Sequence, residues 1–293
     1  MRGMIIKAIG GIYTVEASEG IYECKARGVF RKKNISPVCG DNVTFSLEKD
    51  GSGVIEEIEE RRSLLIRPPL ANLELLVFVS STCEPKPNFL LLDKFIAIAE
   101  YKHIMPAVVF TKADKQDPEQ YLSVYRSVGI TALSVDNTTG EGCEQVKELI
   151  SGRISAFTGN TGVGKSSLLG NIFPGTEFAT GEISRKLGRG RHTTRHVELF
   201  KLPTGGYVAD TPGFSSLETN RYDIIFKDEL ADCFTEFSDH IGKCRFKDCS
   251  HTTENGCAVI EAVKSGKIPV SRHESYIAMY EEAKNLKEWE HKK

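Results

Sequence analysis

Residues 154–172 constrain this chain more than any other stretch. An apolar run leads into Gly159-Asn160-Thr161-Gly162-Val163-Gly164-Lys165-Ser166, and a helical run opens at Lys165. This is the G-x-x-x-x-G-K-[ST] pattern in the strand-to-helix setting that a phosphate-binding loop requires. Glycines let successive backbone N–H groups turn inward around phosphate oxygens. Lys165 brings a point charge to the β- and γ-phosphates, and the Ser166 hydroxyl is a ligand for Mg²⁺. With Ser167, these residues are the expected phosphate contacts.

Such a loop belongs to a mostly parallel sheet covered by helices, so strands and helices should alternate around it. The pattern predicts strands over 75–79, 107–110, 131–135, 154–158, 197–202 and 207–209. Helices are predicted over 89–102, 118–128, 143–150 and 165–172.

Two further elements complete a nucleotide site. Asp210-Thr211-Pro212-Gly213 has the D-x-x-G form at a strand end, where the Asp can hold Mg²⁺ through water and the Gly amide can sense a γ-phosphate. Thr111-Lys112-Ala113-Asp114 approximates N-K-x-D after the strand over 107–110. The Asp114 carboxylate can accept from both N1–H and the 2-amino group of guanine, a donor pair that adenine does not offer. Thr111 replaces the usual Asn, which leaves open how this loop is tied to the phosphate loop. Ser134, at the end of the next strand, sits where a further element contacts the base. The segment over 181–196, rich in Gly, Arg and Thr, brings Thr193 or Thr194 toward the metal, with Thr194 favoured. Asp114 and Ser134 precede the phosphate loop and D-x-x-G follows it, the order of a circularly permuted GTPase domain.

The flanking segments differ in character. Residues 1–66 read as five short strands separated by turns, which suits an OB-type barrel, although periodicity alone does not separate it from an SH3-like one. Residues 67–220 carry the nucleotide motifs. Residues 221–293 are helical and polar; Ser271 and Glu274 have capping-box spacing, with Tyr276, Tyr280, Ala283 and Trp289 on one helical face. Of eight cysteines, Cys244, Cys249 and Cys257 cluster around His251. Three thiolates and one imidazole suit a structural, tetrahedral Zn²⁺ with no open position.

The order of motifs, the run Gly188-Arg189-Gly190-Arg191-His192-Thr193-Thr194, the barrel in front and the Cys/His cluster behind resemble the ribosome small-subunit-dependent GTPases of the RsgA (YjeQ/YloQ) type. The resemblance covers essentially the whole chain. It implies an N-terminal OB barrel, a central permuted P-loop GTPase domain and a mostly helical C-terminal zinc domain, acting in late maturation of the 30S subunit with GTP hydrolysed to GDP.

Phe214 follows the D-x-x-G element where Ras-like enzymes carry a water-orienting Gln, and a phenyl ring cannot orient water. His192 is the expected replacement, and the resemblance points to the same residue; Arg189, Arg191 and Arg195 are alternatives. The formal net charge of -2 gives no general attraction for polyanions, so contact with 16S rRNA must come from local clusters such as Arg31-Lys32-Lys33, Arg61-Arg62 and the run over 243–247. No apolar run approaches the ~18–20 residues of a membrane span, and a cytoplasmic monomer is expected. A second reading makes the chain a nucleotide-switched binding module in which hydrolysis is incidental.

Overall fold

The computed structural model describes residues 1–32, 35–174, 197–210 and 224–286. The first segment forms β1 (Arg2–Ile9), β2 (Ile12–Ala17), β3 (Gly20–Ala26), the short helix α1 (Gly28–Lys32), β4 (Asn42–Leu47), β5 (Gly53–Ile58), and the small hairpin β6 (Leu64–Leu65) and β7 (Leu70–Ala71). There follow β8 (Leu75–Ser81), α2 (Phe89–Tyr101), β9 (Met105–Thr111), α3 (Glu119–Ser127), β10 (Thr131–Val135), α4 (Cys143–Ile150), β11 (Ile154–Thr158), α5 (Lys165–Ile172), β12 (Glu198–Lys201) and β13 (Tyr207–Asp210). Helices α6 (Lys227–Leu230), α7 (Ala258–Lys264) and α8 (Val270–Ala283) come last. Among the described residues no helix is long and apolar enough to cross a membrane.

Two compact units result. The first takes the chain to residue 77, residues 143–161, and, as far as described, residues 165–210; the second takes residues 78–142, 162–164 and 224–286.

The first unit contains the barrel. β1 pairs antiparallel with β2, and β2 with β3; β3 runs parallel to β5, β5 antiparallel to β4, and β4 returns to β1 from Arg2↔Thr44 to Met4↔Asn42. This 1-2-3-5-4-1 circuit is that of an OB-type barrel and removes the SH3-like alternative. Strand alternation turns Ile5, Val15, Cys24, Val43, Phe45 and Ile55 inward, joined by Phe30 of α1. Each such side chain contributes roughly 1.5–3 kcal/mol when fully buried. Gly53 is needed where β5 meets β3, since a Cβ there would overlap the Cys24 thiol. Arg61, read from the sequence as a phosphate contact, instead donates Nε and Nη2 to the fully buried Asp41 at 2.7 and 2.8 Å, so its charge is met inside the fold. Beyond the barrel, Lys7 of β1 pairs with Glu198 of β12, its Nζ donating to Oε1 at 2.9 Å. β12 is antiparallel to β13, and β13 is parallel to β11.

In the second unit the strand order is β10, β9 and the later half of β8, with β9 and β10 parallel from Ala107↔Thr131 to Thr111↔Val135. Asn88 caps α2 by accepting from the Leu91 amide at 3.0 Å. Ala97 and Ile98 of α2 enter one core with Leu230, Phe234, Phe237, Val259, Ile268, Tyr276 and Met279, so the cysteine-bearing segment is packed on α2. The expected capping box at Ser271 does not form. α8 starts at Val270 with Pro269 as N-cap (φ -60°, ψ 136°), which places Ser271 and Glu274 inside the helix. Proline's fixed φ and missing N–H suit a helix start, and here they set it before the serine is reached. Tyr276 and Ala283 are buried and Tyr280 half-buried, as the expected face requires, while Trp289 lies outside the described residues.

Candidate functional site

The parallel pairing of β11 with β13, Ile154↔Tyr207 through Ala156↔Ala209, brings Gly159 and Asp210 to the same strand ends. Ligands of open α/β sheets bind at that edge. Gly162 and Gly164 have φ of 81° and 90°, a region L-residues avoid, and this turns the loop back on itself before α5. Val163 is buried; Asn160, Thr161, Gly162, Ser166 and Ser167 are exposed, Gly159 is buried, and Lys165 is half-buried. The Ser166 and Ser167 hydroxyls thus stand on the open first turn of α5.

Thr111 ends β9, fully buried. Its hydroxyl lies against two carbonyl oxygens, that of Val163 in the phosphate loop and that of Ser80 at 3.2 Å. The substitution of Thr for Asn therefore keeps a direct tie between the loop bearing Asp114 and the phosphate loop. Lys112, in the left-handed region at φ 60°, donates Nζ to the carbonyls of Gly162 at 2.9 Å and of Glu84. Thr82, directly after β8, donates its hydroxyl to the Lys112 carbonyl at 2.8 Å and so braces this turn. Ala113 is half-buried, its amide bonded to the Val135 carbonyl at 3.3 Å, and the Asp114 side chain is exposed.

Ser134 pairs with Phe110 and Val135 with Thr111, so the chain following β10 emerges beside the Asp114 loop. There sits a residue that sequence reasoning missed. Asn137 Nδ2 donates to the Gly164 carbonyl at 3.0 Å, and a Cβ on Gly164 would stand only 2.8 Å from that nitrogen. Asp136 shapes the turn by accepting from the Thr139 hydroxyl and the Thr138 amide, both at 2.7 Å; these bonds lower its pKa. The signal available was the Asp-Asn-Thr turn directly after a strand of a parallel sheet.

The cysteine cluster is assembled. The Sγ atoms of Cys244, Cys249 and Cys257 and a ring nitrogen of His251 all lie within 4.8 Å of one another. Cys244 Sγ is 3.9 Å from Cys257 Sγ, and His251 Nδ1 is 3.5 and 3.4 Å from those two sulfurs. His251 has φ 59°, and Tyr276 and His273 of α8 bond to the carbonyls of Ser250 and His251 at 2.8 and 2.7 Å. Glu254 accepts from the amides of Ser250, Thr252 and Thr253 at 2.8, 3.1 and 3.1 Å and from the Ser250 hydroxyl. Desolvation pulls its carboxyl up, but these donors outweigh it and hold the pKa at about 2. Soft thiolates and an imidazole converging in this way could hold a tetrahedral metal ion.

His192, Thr194 and Gly213 lie outside the described residues, as does the Asp210 side chain. Cys233 is buried apart from the cluster, its thiol donating to the Glu229 carbonyl at 3.4 Å.

Comparison with known proteins agrees with this arrangement. The RsgA N-terminal domain model matches residues 2–55, and the RsgA GTPase model matches residues 58–220. A "Small ribosomal subunit biogenesis GTPase RsgA" from Geobacillus sp. (strain WCH70) is 45% identical over 292 residues, 98% of each chain. Its namesake from Caldanaerobacter subterraneus subsp. tengcongensis is 44% identical over 97% of this chain and 96% of its own. The crystal structure of YjeQ from Thermotoga maritima superposes with a TM-score of 0.84 at 35% identity, covering 98% of this chain and 99% of that one. YloQ, described as a circularly permuted GTPase, gives 0.79 at 34% identity, covering 98% and 96%. The family models together cover residues 2–55 and 58–220 and the relatives match along nearly the whole length, so the chain belongs to the RsgA GTPase family, whose members are GTP hydrolases.

Proposed function

We propose that this chain hydrolyses GTP to GDP and phosphate in the biogenesis of the small ribosomal subunit, the role carried in its relatives' names. The observation that carries the reading is the contact of Thr111 with the Val163 carbonyl, which seats a guanine-selecting loop on a phosphate loop. Asp114 accepts from N1–H and the 2-amino group of the base, with Thr111, Lys112, Ala113 and Ser134 framing it. Gly159, Asn160, Thr161, Gly162, Val163, Gly164, Lys165, Ser166 and Ser167 take the phosphates. A hydroxyl, a carboxylate and a second hydroxyl from Ser166, Asp210 and Thr194 are hard oxygen donors suited to Mg²⁺, which when bound neutralises charge on the β- and γ-phosphates. Gly213 contacts the γ-phosphate, and His192 orients the attacking water in place of the Gln that Phe214 displaces.

Cys244, Cys249, His251 and Cys257 hold one structural zinc in this reading. Tetrahedral bonds of ~2.3 Å to sulfur and ~2.05 Å to nitrogen place sulfurs about 3.8 Å apart and sulfur about 3.6 Å from nitrogen. The spacings of 3.9, 3.5 and 3.4 Å support that fit. Residues 1–66, 67–220 and 221–293 are the functional divisions, binding a 30S subunit and its 16S rRNA as a cytoplasmic monomer.

GTP turnover measured with and without purified 30S subunits tests the proposal. Turnover is slow alone and rises by orders of magnitude with subunits, each ~1.4 kcal/mol of barrier being tenfold. His192→Ala keeps GTP and subunit binding but loses most of the stimulated rate. Equal turnover in both conditions favours the switch-module reading, and an unimpaired His192→Ala moves the catalytic role to an arginine of the same segment or to the ribosome.

A further inference from the structure

The geometry points to His273 and Tyr276 as positioning residues of the metal centre, two side chains of α8 that set the direction from which His251 offers Nδ1. The inference rests on the metal reading above. His273 and Tyr276 stand three positions apart on one helix, so they share a face. Tyr276 donates its hydroxyl to the Ser250 carbonyl at 2.8 Å. His273 Nε2 lies 2.7 Å from the His251 carbonyl, and because a carbonyl only accepts, Nε2 carries the proton.

These two carbonyls belong to the peptide planes on either side of the His251 Cα. A peptide is planar, so orienting both carbonyls fixes φ and ψ of residue 251 and with them its Cα–Cβ direction. That conformation, φ 59°, is one an L-residue adopts only when its surroundings impose it. The loop's own organiser supplies only part of that restraint: Glu254 holds the Thr252 amide, which shares a peptide plane with the His251 carbonyl, and leaves the two carbonyls to other donors. Glu254 gathers amides and a hydroxyl, but a carboxylate has no proton to give to a carbonyl. Glu254 thus holds the amides of Ser250, Thr252 and Thr253, while α8 holds the carbonyls of Ser250 and His251. Both α8 side chains are buried, at 8% and 1% exposure, with their ring planes 10° apart. Partners behind metal-bound histidines orient the ligand, and their loss typically costs 10–100-fold in metal affinity.

The test uses the full chain, with Co²⁺ as a spectroscopic probe and Zn²⁺ affinity read by competition with a chromophoric chelator. Tyr276→Phe and His273→Phe are expected to weaken Zn²⁺ binding about 10–100-fold and to shift the Co²⁺ ligand-field bands. His273→Gln, whose amide nitrogen reaches the same point, is expected to stay near the unmodified protein in both. A purely structural role would lower the melting temperature and leave the Co²⁺ spectrum in place. His273→Phe removes a buried polar ring and risks misfolding; Tyr276→Phe deletes one oxygen and decides the matter alone if so. Unchanged affinity and spectrum in a folded Tyr276→Phe overturn the proposal. An unmodified chain that takes up Co²⁺ without thiolate-to-metal charge-transfer bands overturns the metal reading itself and this inference with it.

Discussion

Arg272 and Asp93 are 179 positions apart in the chain, yet Nη1 of one lies 2.7 Å from Oδ1 of the other, with side chains 1% and 0% exposed. The guanidinium also donates to both oxygens of Glu236, at 2.7 and 3.2 Å, and stacks over Phe234 with 4.6 Å from its carbon to the ring centroid. A planar cation with a fixed fork of donors is suited to hold two buried carboxylates at once. α8 is thereby fastened to α2 at the residue directly before His273.

Removing that cation should be costly. Arg272→Met leaves Asp93 and Glu236 buried without a counter-charge, and about 3–5 kcal/mol of stability is expected to be lost. Urea unfolding of the full chain measures it. A loss under 1 kcal/mol would show that water reaches the pair and that the fastening is weak.

Thr111→Val keeps shape and burial but deletes the hydroxyl that meets Val163 and Ser80. Losing one hydrogen bond and leaving a buried carbonyl without it costs about 1–2 kcal/mol, so GDP affinity should fall roughly tenfold. Thr111→Ser restores the hydroxyl and should recover it. Equilibrium titration with a fluorescent guanine nucleotide distinguishes the three proteins.

In the proposed base site, Asp114→Asn would replace two charge-assisted acceptor bonds to guanine with an amide of the wrong polarity. At about 1.5–3 kcal/mol each, GTP binding should weaken by about two to four orders of magnitude, with xanthosine triphosphate preferred. Competition between the two nucleotides reports the switch, and unaltered preference removes Asp114 from the base site.

Metal removal should act first on the C-terminal segment. A strong chelator under reducing conditions is expected to unfold the loop around residues 244–257 and expose the core of Phe234, Phe237 and Tyr276, seen as increased hydrogen exchange there. Full protection after chelation, with metal content confirmed at zero, would contradict a structural ion.

Much of this architecture is legible in the residue order because it is local. Buried strands of a parallel sheet appear as short apolar runs, and the phosphate loop is contiguous from Gly159 to Ser166. Long-range partnerships are silent. Arg61 beside Arg62 reads as a basic surface pair, and nothing nearby marks Asp41 as the acid that claims it. Asn137 looks like one more turn residue until Gly164 is found against it. Ser271 and Glu274 have the right spacing for a cap, but Pro269 had already started the helix. Thr111 was visible as a departure from the usual Asn; that its shorter side chain still reaches Val163 depends on how closely β9 approaches the phosphate loop, which no spacing encodes.

The pairing of Lys7 with Glu198 stitches the barrel to the strands beyond it. β12 pairs in turn with β13, so an unbroken run of strand pairing leads from β1 of the barrel to the strand that ends at Asp210. Barrel and nucleotide-fold edge are thus neighbours in one hydrogen-bonded fabric, with β12 as the single strand between β1 and β13.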